Sequence, residues 1–232
     1  MPYITSKNAI KASIQAKTLL KLYYLESAKW DQDLAGVPFE VVDKKTFFLM
    51  IGNEKHHQGI VAKIKDFAYT DFKLLITKSR TKRFPFLVIL DEITDANNFG
   101  AIIRTAEAFG VDGIIIKKDH QIDVNPTVQK ISTGACNFIP ITRVTNLNTT
   151  IKTLKEQGYW IVACEADGDT TITEVDVKRP LAVILGSEGF GVSSLVRKNS
   201  DYVVKIPMMG EVNSLNVSVA FGVVVSYFKL QQ

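Results

Sequence analysis

Three stretches of this 232-residue chain gather polar residues and glycines in arrangements suited to holding a ligand or activating a group. The first, DEITDANNFGAIIRTAEAFG from Asp91 to Gly110, passes from a strand through a polar turn into a helix that should begin near Asn97 or Asn98. Asn and Asp are natural caps at such a start, because their side-chain oxygens satisfy free backbone N–H groups. On that helix Ile102, Ala106 and Phe109 share one face, which leaves Arg104 on the opposite side with Gly100, Ala101 and Ala108 beside it. An arginine among small residues can be closely approached. The second stretch, LAVILGSEGFGVSSL from Leu181 to Leu195, sends a buried-type strand into Gly186, Glu188, Gly189 and Gly191, where glycine permits tight turning and close backbone approach. In the third, VVKIPMMGEVNSLNVSVAFGVVVSYF, a strand ends at Ile206, a loop carries Gly210, and a helix should start near Asn213 or Ser214. Asn213, Ser214 and Asn216 then cluster where unpaired N–H groups point.

Taken singly, each stretch has an ordinary explanation: a solvated arginine on an amphipathic helix, a glycine loop, a packed core helix. The glycines run GxxGxG rather than GxGxxG, and no acidic residue follows at dinucleotide-site distance. There is likewise no P-loop and no Ser-His-Asp order, which counts against a dehydrogenase or a hydrolase on a similar sheet.

The elements that position these residues follow from the hydrophobic pattern. From Phe86 onward, strand-length apolar runs (FLVIL, GIIIK, WIVAC, LAVILG, YVVKIP) alternate with helical ones, as in a parallel sheet flanked by helices. The helix from Val217 to Phe228 is apolar nearly all round, so it should be buried, in part against a second subunit. Before residue 78, a helix start at Ser6 and the runs LLKLYYL, PFEVV and QGIVAKI indicate a small α/β unit. SAKWDQDLAG leaves little room for a full helix between the first two of those strands. The expected division is therefore residues 1–77, a basic linker 78–85 and a larger domain 86–232. The linker, KSRTKRFP, places Lys78, Arg80, Lys82 and Arg83 together and ends in a proline, as either a solvated hinge or a strip for phosphates.

Composition sets wide bounds. With 46% hydrophobic and 22% charged residues the chain should pack a core, and a net charge of +4 permits a nucleic-acid partner without requiring one. Cys136 and Cys164 form no CxxC pair, and His56, His57 and His120 offer no zinc spacing. The opening MPYITSKNAI lacks a signal-peptide pattern, and no apolar run is long enough to span a bilayer. A cytoplasmic, metal-free protein is expected.

In order, D-A-N-N-x-G-x-x-x-R-T-A, L-G-x-E-G-x-G and I-P-M-x-G-x-x-x-S-L-N-V-S-x-A closely resemble the three motifs of the SpoU (TrmH) family of RNA 2′-O-ribose methyltransferases in the SPOUT superfamily. The segment HHQGIVAKI, 56–64, resembles the end of the N-terminal substrate-binding domain of members acting on 23S rRNA. The resemblance implies an α/β fold whose C-terminal part forms a deep trefoil knot, a shortened L30e-like N-terminal domain for RNA, a homodimer, and S-adenosyl-L-methionine (AdoMet) as cofactor. By motif position it implies AdoMet contacts at Gly186, Ile206, Ser214 and Leu215, and active-site roles for Asn98, Arg104, Glu188 and Asn216. A guanidinium keeps its proton at working pH, so Arg104 is expected to act as an electrostatic or phosphate-assisted activator rather than a free base. The sequence departs from the family at Ala96, where proline is common. The implied activity is methylation of a guanosine ribose in 23S rRNA. A tRNA guanosine 2′-O-methyltransferase and a catalytically silent RNA-binding ribosome-assembly factor are the alternatives.

Overall fold

The computed structural model describes residues 2–29, 34, 36–52, 54 and 57–232, which form two compact units. One unit comprises residues 1–68 and 123–138, the other 69–122 and 139–232.

In the first unit a four-stranded sheet is built from β1 (Tyr3–Ile4), β2 (Leu19–Leu25), β3 (Phe39–Val42) and β4 (Ile60–Ile64), in the order β1-β4-β2-β3. Helices α1 (Lys7–Gln15) and α2 (Lys44–Ile51) belong to it. One core is made by Ile10, Leu22, Tyr24 and Ala62, and a second by Tyr23, Val61 and Phe47. Successive residues of β2 and β4 thus face opposite ways, as the period-two geometry of a strand requires. The SAKWDQDLAG connection lies in part, and His56 wholly, outside the described residues.

The second unit begins earlier than expected. Helix α3 (Phe72–Ser79), capped by the Asp71 carboxylate, buries Leu75 and Ile76 in the same core as Leu87 and Ile89 of β5 (Phe86–Asp91). Packing therefore divides the chain at residue 68 rather than 77, and residues 78–85 fall within the second unit instead of joining two units. Residues 123–138, with helix α5 (Pro126–Ile131), pack with the first unit, a long-range association that no local pattern announces.

After β5 come α4 (Ala96–Ala108), β6 (Gly113–Lys117), β7 (Ile141–Val144), α6 (Leu147–Glu156), β8 (Trp160–Cys164), β9 (Thr170–Thr171), β10 (Leu181–Gly186), α7 (Ser194–Lys198), β11 (Tyr202–Lys205) and α8 (Val217–Gln231). Seven strands make one parallel sheet in the order β7-β6-β5-β10-β8-β11-β9. Residues of β5 and β10 are buried throughout, as expected when helices cover both faces. Leu87, Ile89, Ala182 and Ile184 face the helices α3, α6 and α7. The alternate positions face the other way, where Phe86 meets Phe228 of α8 at 6.3 Å between ring centroids.

Two helix starts differ from expectation. Asp95, not an asparagine, caps α4 by accepting from Asn98 N–H at 2.8 Å, so the helix begins at Ala96. In the third stretch Asn213 to Leu215 remain loop, and Asn216 caps a helix that begins at Val217. Both shifts arise because the cap is the residue whose side chain reaches back to its own N2 or N3 amide, a choice that several adjacent Asn, Asp and Ser residues leave open in the sequence.

Candidate active site

The carboxyl ends of β5, β8, β10 and β11 converge, and at such an edge an open α/β sheet commonly holds its ligand. A cleft of about 430 Å³ opens there, lined by the strand ends at Cys164, Gly186 and Ile206 and by the loop leading into α8. Gly186, Ile206, Ser214, Leu215, Glu188 and Asn216 all line it.

The second motif forms one wall of the cleft. Ser187 and Gly191 exchange backbone hydrogen bonds of 3.1 and 2.9 Å, folding residues 187–191 into a tight hairpin. Gly186 is required by this closure: a Cβ there would lie 1.9 Å from the Gly191 carbonyl carbon and 2.2 Å from Val192 N. Gly191 has a positive φ of 66° and packs directly on the Glu165 carboxylate. Two carboxylates from neighbouring strand ends then hold the outgoing chain. Glu165, after β8, accepts from Val192 N–H, and Asp91, closing β5 and only 2% exposed, accepts from Ser193 N–H at 2.9 Å. Burial raises the Glu165 carboxyl above the ordinary range. It also pushes the neighbouring Cys164 thiol up to about 12, so this cysteine on the cleft wall stays protonated and a poor nucleophile.

Glu188, at the hairpin tip, meets residues from the other two motifs. Asn98 Nδ2 donates to Glu188 Oε1 at 3.1 Å, while Asn216 Nδ2 donates both to that oxygen and to Asn98 Oδ1, the latter at 3.0 Å. The remaining oxygen of Asn216 accepts from Ser218 N–H at 3.0 Å and Val219 N–H at 3.4 Å, so one side chain caps α8 and orients the carboxylate. Glu188 Oε2 has no hydrogen-bond partner among the described residues. The arrangement therefore presents one pre-oriented, solvent-exposed carboxylate oxygen beside a mixed apolar and polar cleft, well placed to accept a hydrogen bond.

Arg104 stands apart. It is exposed, does not line the cleft and makes no hydrogen bond or ion pair among the described residues. It lies six helical steps beyond Asn98, about 9 Å along the axis and roughly a third of a turn round. Glu165 and Asp91, which sequence reasoning missed, had one available signal: an acidic residue at or just beyond the carboxyl end of a buried strand. Among the described residues no group of His, Cys, Asp and Glu could hold a metal ion, and no helix is long and apolar enough to cross a membrane.

With this geometry in view, the comparison with known families is decisive, for the model of the SpoU rRNA methylase family matches residues 85–226. The chain belongs to the SpoU rRNA methylase family. Two relatives described as TrmH-family tRNA/rRNA methyltransferases support this. YacO of Bacillus subtilis is 38% identical over 95% of this chain and 92% of its own length. A Staphylococcus saprophyticus protein is 46% identical over 72% of this chain and 68% of its own. Among solved structures, the SpoU methyltransferase AviRb of Streptomyces viridochromogenes, crystallised with AdoMet, superposes with a TM-score of 0.81 at 25% identity, covering 99% of this chain and 89% of AviRb. The α/β architecture with its parallel seven-stranded sheet is thus that of a SpoU methylase.

Proposed function

We propose that this SpoU methylase is an AdoMet-dependent enzyme that transfers a methyl group to a ribose 2′-hydroxyl of RNA, with a guanosine of 23S rRNA as the expected target. The observation that carries the reading is the Asn98–Glu188–Asn216 cluster, drawn from three separate motifs and set at the mouth of the cleft.

The cleft suits AdoMet. Leu185, Ile206, Leu215 and Val217 offer apolar wall for an adenine, Ser214 and the backbone around Gly186 offer polar contacts, and the carboxylates of Glu165 and Glu188 favour a cationic sulfonium. When bound, AdoMet supplies an electrophilic methyl group. The chain's own residues do the rest. Asn98 and Asn216 fix the Glu188 carboxylate, whose second oxygen takes the hydrogen bond of the ribose hydroxyl and draws on its proton, so the hydroxyl oxygen becomes the better nucleophile. Arg104, which makes no hydrogen bond to that cluster, fixes an RNA phosphate and stabilises developing negative charge. The first unit, with residues 1–68, serves as the RNA-docking region, and the trefoil knot belongs to this reading through the family. A homodimer is supported by α8, whose Val219, Val223 and Leu230 stay exposed on one side while Phe221, Val224 and Phe228 are buried on the other.

A tRNA substrate is the second reading, because the description shared by both relatives names tRNA alongside rRNA. Incubating the protein with labelled AdoMet and, separately, unmodified 23S rRNA and tRNA transcripts decides between them. Label in the rRNA is the expected outcome, label in tRNA alone supports the second reading, and transfer to neither by folded, AdoMet-binding protein overturns both.

A further inference from the structure

Phe190 is 94% exposed, an unusual situation for the largest apolar side chain of a tight hairpin. The hairpin that carries it is firmly held: Ser187 and Gly191 close it by two backbone bonds, Ser187 Oγ accepts from Phe190 N–H at 3.4 Å, and Glu165 and Asp91 secure the next two residues. The ring is therefore presented to solvent by an anchored backbone. Its neighbours in the chain, Gly189 and Gly191, carry no side chains to shield its faces. A Cβ at Gly189 would meet nothing within 4 Å, so packing does not dictate a glycine there, and the space beside the ring is open. Two residues earlier, Glu188 is tied into the polar cluster with Asn98 and Asn216. Cα atoms two residues apart are separated by about 7 Å at most, the scale of one nucleoside.

These placements belong together once the substrate is a nucleotide of RNA, and in that respect the inference rests on the proposed function. A ribose that enters the cleft must leave the regular stack, and its base then needs another planar partner. We infer that Phe190 is a stacking platform for the base of the methylated nucleotide, the residue through which the hairpin couples base capture to the placement of the ribose beside Glu188. Stacking on an aromatic ring tolerates every base, so Phe190 contributes affinity and orientation and leaves base identity to other contacts.

The test compares Phe190→Leu, which keeps an apolar side chain but cannot stack, with Phe190→Trp, which can. On the RNA transcript that the wild type methylates, Phe190→Leu should raise KM for RNA by at least about tenfold. AdoMet affinity and the mass of the protein in solution should stay at wild-type values, and Phe190→Trp should restore KM to near wild type. The new indole should also lose fluorescence when that transcript is added in the presence of S-adenosylhomocysteine, relative to the same titration of wild-type protein. A Phe190→Leu protein with wild-type KM overturns the inference. So does a loss that tracks AdoMet affinity or a change of oligomeric mass, because Phe190 would then cover the cofactor or a second copy of the chain. Wild-type protein that methylates neither rRNA nor tRNA would instead remove the function on which the inference rests, a result distinct from all of these.

Discussion

Asn98, Glu188 and Asn216 each serve two partners or more, and at Asn216 that double duty explains the residue type. Asn216 must accept from the first turn of α8 while donating to a carboxylate, which an amide does and a carboxylate or an aliphatic side chain does not. Glu165 must accept from Val192 N–H in a place where burial opposes its charge. The consequence for stability has a definite sign. Near pH 4 the Glu165 carboxyl is largely protonated in the folded and unfolded chain alike, but as pH rises past the ordinary value of 4.5 the unfolded chain releases the proton first. Ionisation thus favours unfolding progressively until the raised folded value is passed. Glu165→Gln keeps a carbonyl to accept from Val192 and removes the titration. The melting temperature of the Gln variant, relative to wild type, should accordingly climb as the pH rises past 4.5. A difference that stays flat or falls over that range would show that the backbone hydrogen bond, rather than burial, dominates at Glu165.

At the scale of elements, legibility depended on burial and on distance along the chain. LLKLYYL, GIIIK, WIVAC and LAVILG coincide with β2, β6, β8 and β10, because strands covered on both faces, or packed on two small cores, read as nearly unbroken apolar runs. β7, with sequence ITRV, carries an exposed Arg143 and is too short to stand out, and the two-residue strands β1 and β9 have no periodicity to read. The motif residues of the cleft could be placed from their order, but the carboxylates that hold the glycine hairpin could not. Glu165 and Asp91 reach amides 27 and 102 residues away, and neither bond leaves a local pattern. The start of α8 gives a way to separate helix capping from chemistry. Serine caps a helix about as well as asparagine does, yet it has no amide to donate to Glu188. Asn216→Ser should therefore change stability by no more than about 0.5 kcal/mol while lowering kcat by at least about tenfold, since the carboxylate loses its orienting donor. Thermal unfolding and single-turnover methylation on the same preparation measure both quantities, and a parallel loss of the two would assign Asn216 to the fold alone.

For the molecule as a whole, the sheet brings three strand ends to one cleft, and the start of α4 and the loops after β10 and β11 supply the Asn98, Glu188 and Asn216 contacts that no single motif could make. The same carboxylate could in principle serve methyl transfer to a base nitrogen, so family membership and cleft shape do not by themselves fix the acceptor atom. What argues for the ribose is a carboxylate oxygen held ready for a hydroxyl donor. The most direct measurement is to methylate unmodified rRNA with the purified protein and AdoMet, digest the product to nucleosides and locate the added methyl group by mass spectrometry. The account predicts that the methyl group stays with the sugar fragment as a 2′-O-methylnucleoside, and that Glu188→Ala abolishes it. A methyl group on the base fragment would contradict it.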